Sequence, residues 1–179
     1  MHIRIISGKY KARRITAPKN LPIRPTTDRA KEALFNILTN HYYIPELKIL
    51  DLFTGSGSIS YEFASRGSKD IQAIDANYSV IKFVQKTAAS FDFPIRVIKN
   101  DAVKFLEKTS DTYDLIFADP PYDLDKEIQQ KMIDICFDRK LLKEDGLFIL
   151  EHIEQLDFNT HPHFKESRKY GMTVFSFFY

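Results

Sequence analysis

The chain has 179 residues, 44% hydrophobic and 28% charged, with a formal net charge of +2 and one cysteine. That size and balance suit one main soluble domain with a real core, and no apolar run approaches the ~20 residues that would cross a bilayer. Cys136 alone excludes an intramolecular disulfide and suits a reducing cytoplasm, and Met1-His2-Ile3-Arg4 lacks the apolar run of a signal peptide.

The charge is unevenly placed. The first 31 residues hold nine basic residues against one acid, Asp28, whereas the rest hold 17 basic and 23 acidic residues. Such asymmetry fits a nucleic-acid partner, or a solvated basic face. The apolar run 3–6, a turn at 7–11 and a return over 12–15 predict a small hairpin carrying Arg4, Lys9, Tyr10, Lys11, Arg13 and Arg14. Two strands alone are barely stable, so the hairpin must pack on the main domain or on a partner. Its cations suit phosphates and Tyr10 suits stacking on a base, although an edge hairpin with protective lysines has the same composition. If it is a nucleic-acid-binding arm, removing residues 1–15 should weaken nucleic-acid binding and spare ligand binding by the main domain.

A proline-punctuated connection over 18–25 leads to Thr26-Thr27-Asp28, which can cap a helix ending near residue 40. Ala30, Ala33, Leu34, Ile37 and Leu38 mark its buried face. Arg24, Thr26 and Arg29 either enter this helix or line a site. Residues 48–53 read as the first strand of the main sheet, followed by a helix over 57–66 stopped by Gly67. Then come a strand 71–75, a helix capped by Asn77, a strand 95–98, a short helix after Asp101, a strand 113–118, a helix 126–139 and a strand 146–150. Cys136 falls on the apolar side of the last helix, as a packing residue. Segments 164–169 and 173–178 read as a closing antiparallel pair. Alternating strands and helices predict an α/β fold with a doubly wound, mostly parallel sheet, an antiparallel C-terminal hairpin and an N-terminal hairpin extension. The expected division is a basic extension over 1–25 and a main domain over 26–179.

Chemistry collects at strand ends. In Asp51-Leu52-Phe53-Thr54-Gly55-Ser56-Gly57 the glycines let the backbone turn sharply and approach a ligand. The third small residue of a dinucleotide fingerprint is replaced by Ser60. Asp75 ends the next strand at a spacing close to that of a ribose-binding acid. Asp101 suits an adenine amino group, or a helix cap, or both. Asp119-Pro120-Pro121-Tyr122 ends the fourth strand of the sheet abruptly, because neither proline carries an N–H. It is a strand-ending turn or a site that presents a carboxylate, free carbonyls and a ring to a planar amine. His161-Pro162-His163 reads as a surface turn rather than a metal site.

Asp51-x-Phe53-x-Gly55-x-Gly57, Asp75, Asp101 and Asp119-Pro120-Pro121-Tyr122 resemble the S-adenosylmethionine-dependent amino methyltransferases. Arg4-Ile5-Ile6-Ser7-Gly8-Lys9, Arg24-Pro25-Thr26-Thr27-Asp28-Arg29 running into Glu32–Leu38, and Arg168-Lys169-Tyr170-Gly171 resemble the bacterial RsmD family, which makes N2-methylguanine in 16S ribosomal RNA. Tyr10 stands where that family commonly has tryptophan, Ala12 where it has glycine and Met172 where it has an acid. The resemblance implies a class I, Rossmann-like methyltransferase fold. It implies cofactor contacts from Asp51, Phe53, Gly55, Gly57, Asp75, Ala76, Asp101, Ala102 and Asp119, with S-adenosylhomocysteine as product. It places catalysis on Asp119, Pro120, Pro121 and Tyr122, and RNA contacts on Arg4, Lys9, Tyr10, Lys11, Arg13, Arg14, Arg24, Thr26 and Arg29. The implied partner is 16S rRNA in a small ribosomal subunit or assembly intermediate, with no metal and no membrane. DNA adenine-N6 methylation, protein glutamine methylation and a non-catalytic RNA-binding assembly factor are the alternatives.

Overall fold

The computed structural model describes residues 1–24 and 26–179; Pro25, part of the expected proline-punctuated connection and of one family motif, lies outside the described residues. The chain begins with β1 (His2–Arg4) and β2 (Arg14–Thr16), then α1 (Asp28–His41), a 3-10 turn (Ile44–Glu46), β3 (Lys48–Leu52), α2 (Ser58–Ser65), β4 (Asp70–Asp75) and α3 (Tyr78–Ser90). It continues through β5 (Ile95–Lys99), α4 (Ala102–Lys108), β6 (Tyr113–Ala118), α5 (Lys126–Asp138), β7 (Leu142–Ile153), β8 (Phe164–Tyr170) and β9 (Thr173–Phe178). The main sheet runs β5-β4-β3-β6-β7-β9-β8. β3 to β7 are parallel, and β9 enters antiparallel between β7 and β8. The order reverses between β3 and β6, and ligands bind at the strand C-termini beside such a switch point.

The two-residue period of β6 shows how the sheet is sandwiched. Leu115 and Phe117 face α1 and α2, among Leu34, Phe35, Leu38 and Phe63. Ile116 and Ala118 face α4 and α5, among Leu106, Met132, Ile133 and the buried free Cys136. Strands covered on both faces read as continuous apolar runs, which is why the sequence marked them well. The expected caps form: Thr27 accepts from the Ala30 N–H, Asn77 from Ser79 and Val80, and Asp101 from Lys104. β7 is longer than its apolar run because its charged start continues past a register shift against β6. Among the described residues, no helix is long and apolar enough to cross a membrane.

The N-terminal segment does not stand off from this body. Three residues pair in each of β1 and β2, backbone bonds from Ile5 to Arg13 and from Ala12 to Ile5 extend the ribbon, and residues 7–12 make the turn, close to the expected hairpin. Ile3, Ile5 and Ile15 are buried against Tyr61 of α2 and Val80 and Val84 of α3. Burial of three such side chains contributes on the order of 5–9 kcal/mol as an upper bound, enough to hold a ribbon that would not fold alone. The loop is also bolted down by polar contacts. The Ile6 and Ser7 N–H groups donate to the two oxygens of Glu62, which is fully buried. Gly8, at φ +86°, lies so close to α2 that a Cβ would sit 2.0 Å from the Ser65 carbonyl oxygen. Lys31, also buried, donates to the Arg4 carbonyl and to Ser58, and its Nζ lies 3.7 Å from Glu62. Burial pushes the Lys31 ammonium below its usual range, and Glu62 opposes the shift.

The half-buried Tyr10 ring packs at right angles to the Phe91 and Phe93 rings, each centroid 5.2 Å away, and its hydroxyl donates to the Phe91 carbonyl. These contacts make Tyr10 part of the packing between the segment and the chain after α3. His161-Pro162-His163 is a turn with Pro162 and His163 exposed, as expected, but its first residue is anchored inward: His161 is 6% exposed and bonded to Asp134, and the His163 ring stacks on Phe137 at 3.7 Å.

Removal of residues 1–15 therefore strips Glu62 and Lys31 of partners and unseals α3, so it destabilises the whole domain instead of sparing the cofactor site. Glu62→Ala should cost about 3–5 kcal/mol in urea unfolding, because Lys31 is left charged and unpaired in the core. Ala12 adopts φ +67°, where a side chain is strained. Ala12→Gly should raise stability by about 1 kcal/mol in the same assay, and an unchanged midpoint would show that no strain is held there.

Candidate active site

β3, β4, β5 and β6 end side by side, and the loops after them enclose a cavity of about 640 Å³. The loop after β3 makes its turn with Phe53 at φ +58° and Gly55 at φ +52°. A left-handed backbone at a bulky residue such as Phe53 is a costly outlier that persists only where the surroundings over-determine it. Here the loop is held from both sides. The Thr54 N–H donates to the Ile74 carbonyl and the Gly55 N–H to Asp75 Oδ2 at 3.1 Å. The other Asp75 oxygen accepts from the Asn77 N–H at 2.9 Å. Asp75 is thus fixed at the rim of β4, with carboxylate lone pairs remaining for the cavity.

Phe53, Gly55, Asp75, Ala76, Asp101, Ala102, Asp119, Pro120, Pro121 and Tyr122 all line this one cavity. Asp51 and Gly57 do not. Asp51 is 1% exposed, and its Oδ2 accepts from the hydroxyls of Thr54 at 2.8 Å and Ser60 at 2.6 Å. Burial pushes the Asp51 carboxyl up to about 6 despite these two donors. Ser60, which departs from a dinucleotide fingerprint, is thereby explained as a clamp on Asp51. Gly57 is required by its own chain: at φ +80°, a Cβ there would sit 2.3 Å from the Tyr61 ring. Asp51 and Gly57 shape the β3–α2 turn from behind the lining of the cavity.

The opposite wall is polar and charged. Arg24 Nη2 donates to Asp119 Oδ1 at 2.9 Å and lies 3.8 Å from Glu151 Oε1. Its guanidinium carbon sits 3.3 Å from the centroid of the Tyr122 ring, a face-on cation–π stack. Thr26 donates to the other Glu151 oxygen at 3.2 Å. Burial and the neighbouring Glu151 push the Asp119 carboxyl well above its ordinary range, while Arg24 pulls it down. Burial raises Glu151 to about 7, against Arg24 and the Thr26 hydroxyl. The two carboxylates titrate as a pair.

Glu151 and the strap Leu21-Pro22-Ile23 were not singled out from sequence, although the strap lines the cavity and Ile23 lies against Gly55. The signal for Glu151 was its position, an acid directly after the apolar run 146–150. The signal for the strap was an apolar stretch between prolines that fits neither helix nor strand. Of the residues expected to meet RNA, Arg24 alone lines the cavity and Thr26 reaches it only through Glu151. Lys11, Arg13, Arg14 and Arg29 are exposed away from it, Lys9 lies 5.2 Å over the Tyr10 ring, and Arg4 pairs with Asp28 at 2.9 Å.

A sheet of this order with its cavity across the ends of β3–β6 is the fold of the S-adenosylmethionine-dependent methyltransferases, and with the relatives that follow it makes the chain an enzyme of that class. Its solved relatives include the yhhF protein of Escherichia coli, which superposes with a TM-score of 0.84 at 26% identity over 99% of this chain and 97% of that one. The chain belongs to the family described as conserved hypothetical protein 95, which matches residues 3–179. It is 31% identical to ribosomal RNA small subunit methyltransferase D of Escherichia coli (strain K12) over 150 residues, 83% of this chain and 74% of that protein. It is 33% identical to the YlbH protein of Bacillus subtilis over 161 residues, 87% of this chain and 85% of that one.

The raised Glu151 carboxyl has a consequence for stability. The folded state holds that proton up to about pH 7, whereas the unfolded chain releases it near 4.5, so the contribution is full below 4.5 and is lost as pH rises to 7. Glu151→Gln should flatten the fall in unfolding free energy across that window by up to about 1.4 kcal/mol per pH unit, measured by urea melts from pH 5 to 8. Parallel curves for the two proteins would show that Glu151 is ionised throughout.

Proposed function

We propose that this enzyme transfers a methyl group from S-adenosylmethionine to the exocyclic N2 amine of a guanine in 16S ribosomal RNA. The observation that carries the reading is that Asp119-Pro120-Pro121-Tyr122 faces Asp75 and Asp101 across one cavity. The residues present fit the methyl donor. The cavity has the size of a small-ligand site, with Phe53, Ile74 and Ala102 as apolar wall and Asp75 as a fixed acceptor for ribose hydroxyls. Asp101, whose Oδ1 already caps α4, has its second oxygen for an adenine amino group. When bound, S-adenosylmethionine supplies an electrophilic methyl group on a sulfonium.

The chain's own residues act on the acceptor. A guanine N2 amine is a weak nucleophile because its lone pair is delocalised into the ring. The Asp119 carboxylate and the Pro120 carbonyl hold its two N–H groups and aim the lone pair outward. Positive charge grows on nitrogen during transfer, and Asp119 stabilises it across a short distance in a partly dry site. The upward push on Asp119 from burial and Glu151 makes it a competent acceptor for the proton then released. Tyr122 offers a ring face to the base, which has to leave its stack to arrive there. Residues 26–179 form the methyltransferase domain. Residues 1–25 present Lys11, Arg13 and Arg14 to RNA phosphates from a surface welded to α2 and α3. The relative from Escherichia coli, named for the small ribosomal subunit, supports that substrate, and such a substrate puts the enzyme in the cytoplasm.

Asp119→Ala should lower tritiated-methyl transfer to 16S RNA by at least ~100-fold and leave S-adenosylmethionine affinity by calorimetry within a few-fold. Retained turnover would remove Asp119 from the chemistry. In cells lacking the protein, mass-spectrometric mapping of 16S RNA should show one N2-methylguanine missing, and an unchanged map would overturn the substrate assignment.

A further inference from the structure

The place assigned above to the target base is already filled by a side chain of this protein. Arg24 lies flat on the Tyr122 ring at 3.3 Å and donates to Asp119 at 2.9 Å. In the base-site reading, a planar amine takes that same cavity-side ring face and that same carboxylate. Two flat groups cannot share one face of one ring, so Arg24 must leave when a base arrives. Its withdrawal is constrained by charge. A guanidinium keeps its charge at every accessible pH and is costly to leave unpaired in a partly buried site. Glu151, 2% exposed at the end of β7, sits 3.8 Å from the same Arg24 nitrogen and is held in place by Thr26. In the methyl-transfer reading it acts only through its charge on Asp119 and touches neither the base nor the methyl donor. Deeper in the wall, it stands where a displaced guanidinium can remain paired.

Resting on the base-site reading, we propose that Arg24 is an internal stand-in for the target base and that Glu151 is the positioning residue that receives it when the base enters. Before RNA arrives, the guanidinium keeps Asp119 and Tyr122 in the orientation a planar amine requires and excludes other amines from the carboxylate. On base entry it shifts from Asp119 to Glu151, and no charge is stranded. The apparent affinity for a base is lowered by the fraction of molecules in which Arg24 covers the ring. Arg24 therefore sets a threshold: a base delivered by a bound RNA meets it, and a free nucleotide does so poorly.

The chain has no tryptophan, so Tyr122→Trp creates a single indole whose fluorescence reports what stacks on it. In that background, quenching by guanosine monophosphate is titrated in four proteins: Arg24 and Glu151 intact, Arg24→Ala, Glu151→Gln, and the double variant. Arg24→Ala should tighten apparent nucleotide binding by roughly tenfold, because the ring is uncovered. Glu151→Gln should weaken it several-fold, because Arg24 loses its second carboxylate and stays on Asp119. In the double variant Glu151→Gln should have no further effect, since Glu151 acts through Arg24; a merely structural role would persist there. Equal or weaker binding by Arg24→Ala would overturn the stand-in while leaving the base site intact. An undiminished effect of Glu151→Gln without Arg24 would overturn the receiving role. Absence of quenching by any nucleotide in all four proteins, with S-adenosylmethionine still bound by calorimetry, would overturn both this inference and the base-site reading.

Discussion

One buried carboxylate ties three parts of the molecule together. Glu62 accepts the Ile6 and Ser7 amides, bonds to Arg66 on its own helix and balances Lys31 from α1. Two backbone amides and two cations saturate its oxygens, the condition under which a charge is tolerated in a core. Because of it, the N-terminal segment, the first helix and the helix after the glycine turn move as one body. Arg24 hangs from that body on the short strap that follows the segment. The position of a side chain deep in the cavity therefore depends on a carboxylate on the far side of α2.

The cavity has two walls of different character. On the side of β4 and β5, acids and backbone groups are locked by hydrogen bonds between neighbouring strand ends, as in the Gly55–Asp75–Asn77 chain. On the side of β6 and β7, Asp119 and Glu151 share one cation, Arg24, which an entering group could draw from one to the other. A rigid wall suits a ligand of constant shape. A wall built from movable charge suits a group that must be admitted selectively and released after it changes.

What could be read from the sequence followed the range of the interactions. Strands buried on both faces announce themselves as apolar runs, and acids at their ends, Asp75 and Asp119, fall at the switch point once the sheet order is known. Caps such as Thr27 and Asn77 are local, and they were legible. The pairing of Arg24 with Asp119 spans 95 residues and that of Thr26 with Glu151 spans 125; no local pattern encodes either. The packing of Tyr10 has the same long range: its partners Phe91 and Phe93 lie about 80 residues on and are brought in by tertiary packing. Gly57 is local by contrast, its space taken by Tyr61 one helical turn on. At Ser60, a mismatch to one motif was the trace of its bond to Asp51.

Inserting β9 between β7 and β8 leaves β5 and β8 as the outermost strands of the main sheet. An outer strand carries unpaired amide and carbonyl groups that can template the addition of a foreign strand. β8 exposes Lys165, Arg168 and Lys169, and β5 exposes Arg96 and Lys99. The apolar strand β9, with Phe175, Phe177 and Phe178 buried, is kept inside. Both open margins thus carry charged side chains, several in ion pairs such as Arg168–Glu166 and Lys169–Glu154, which a pairing strand would have to desolvate. The feature that closes the fold is also what guards it against self-association at its edges.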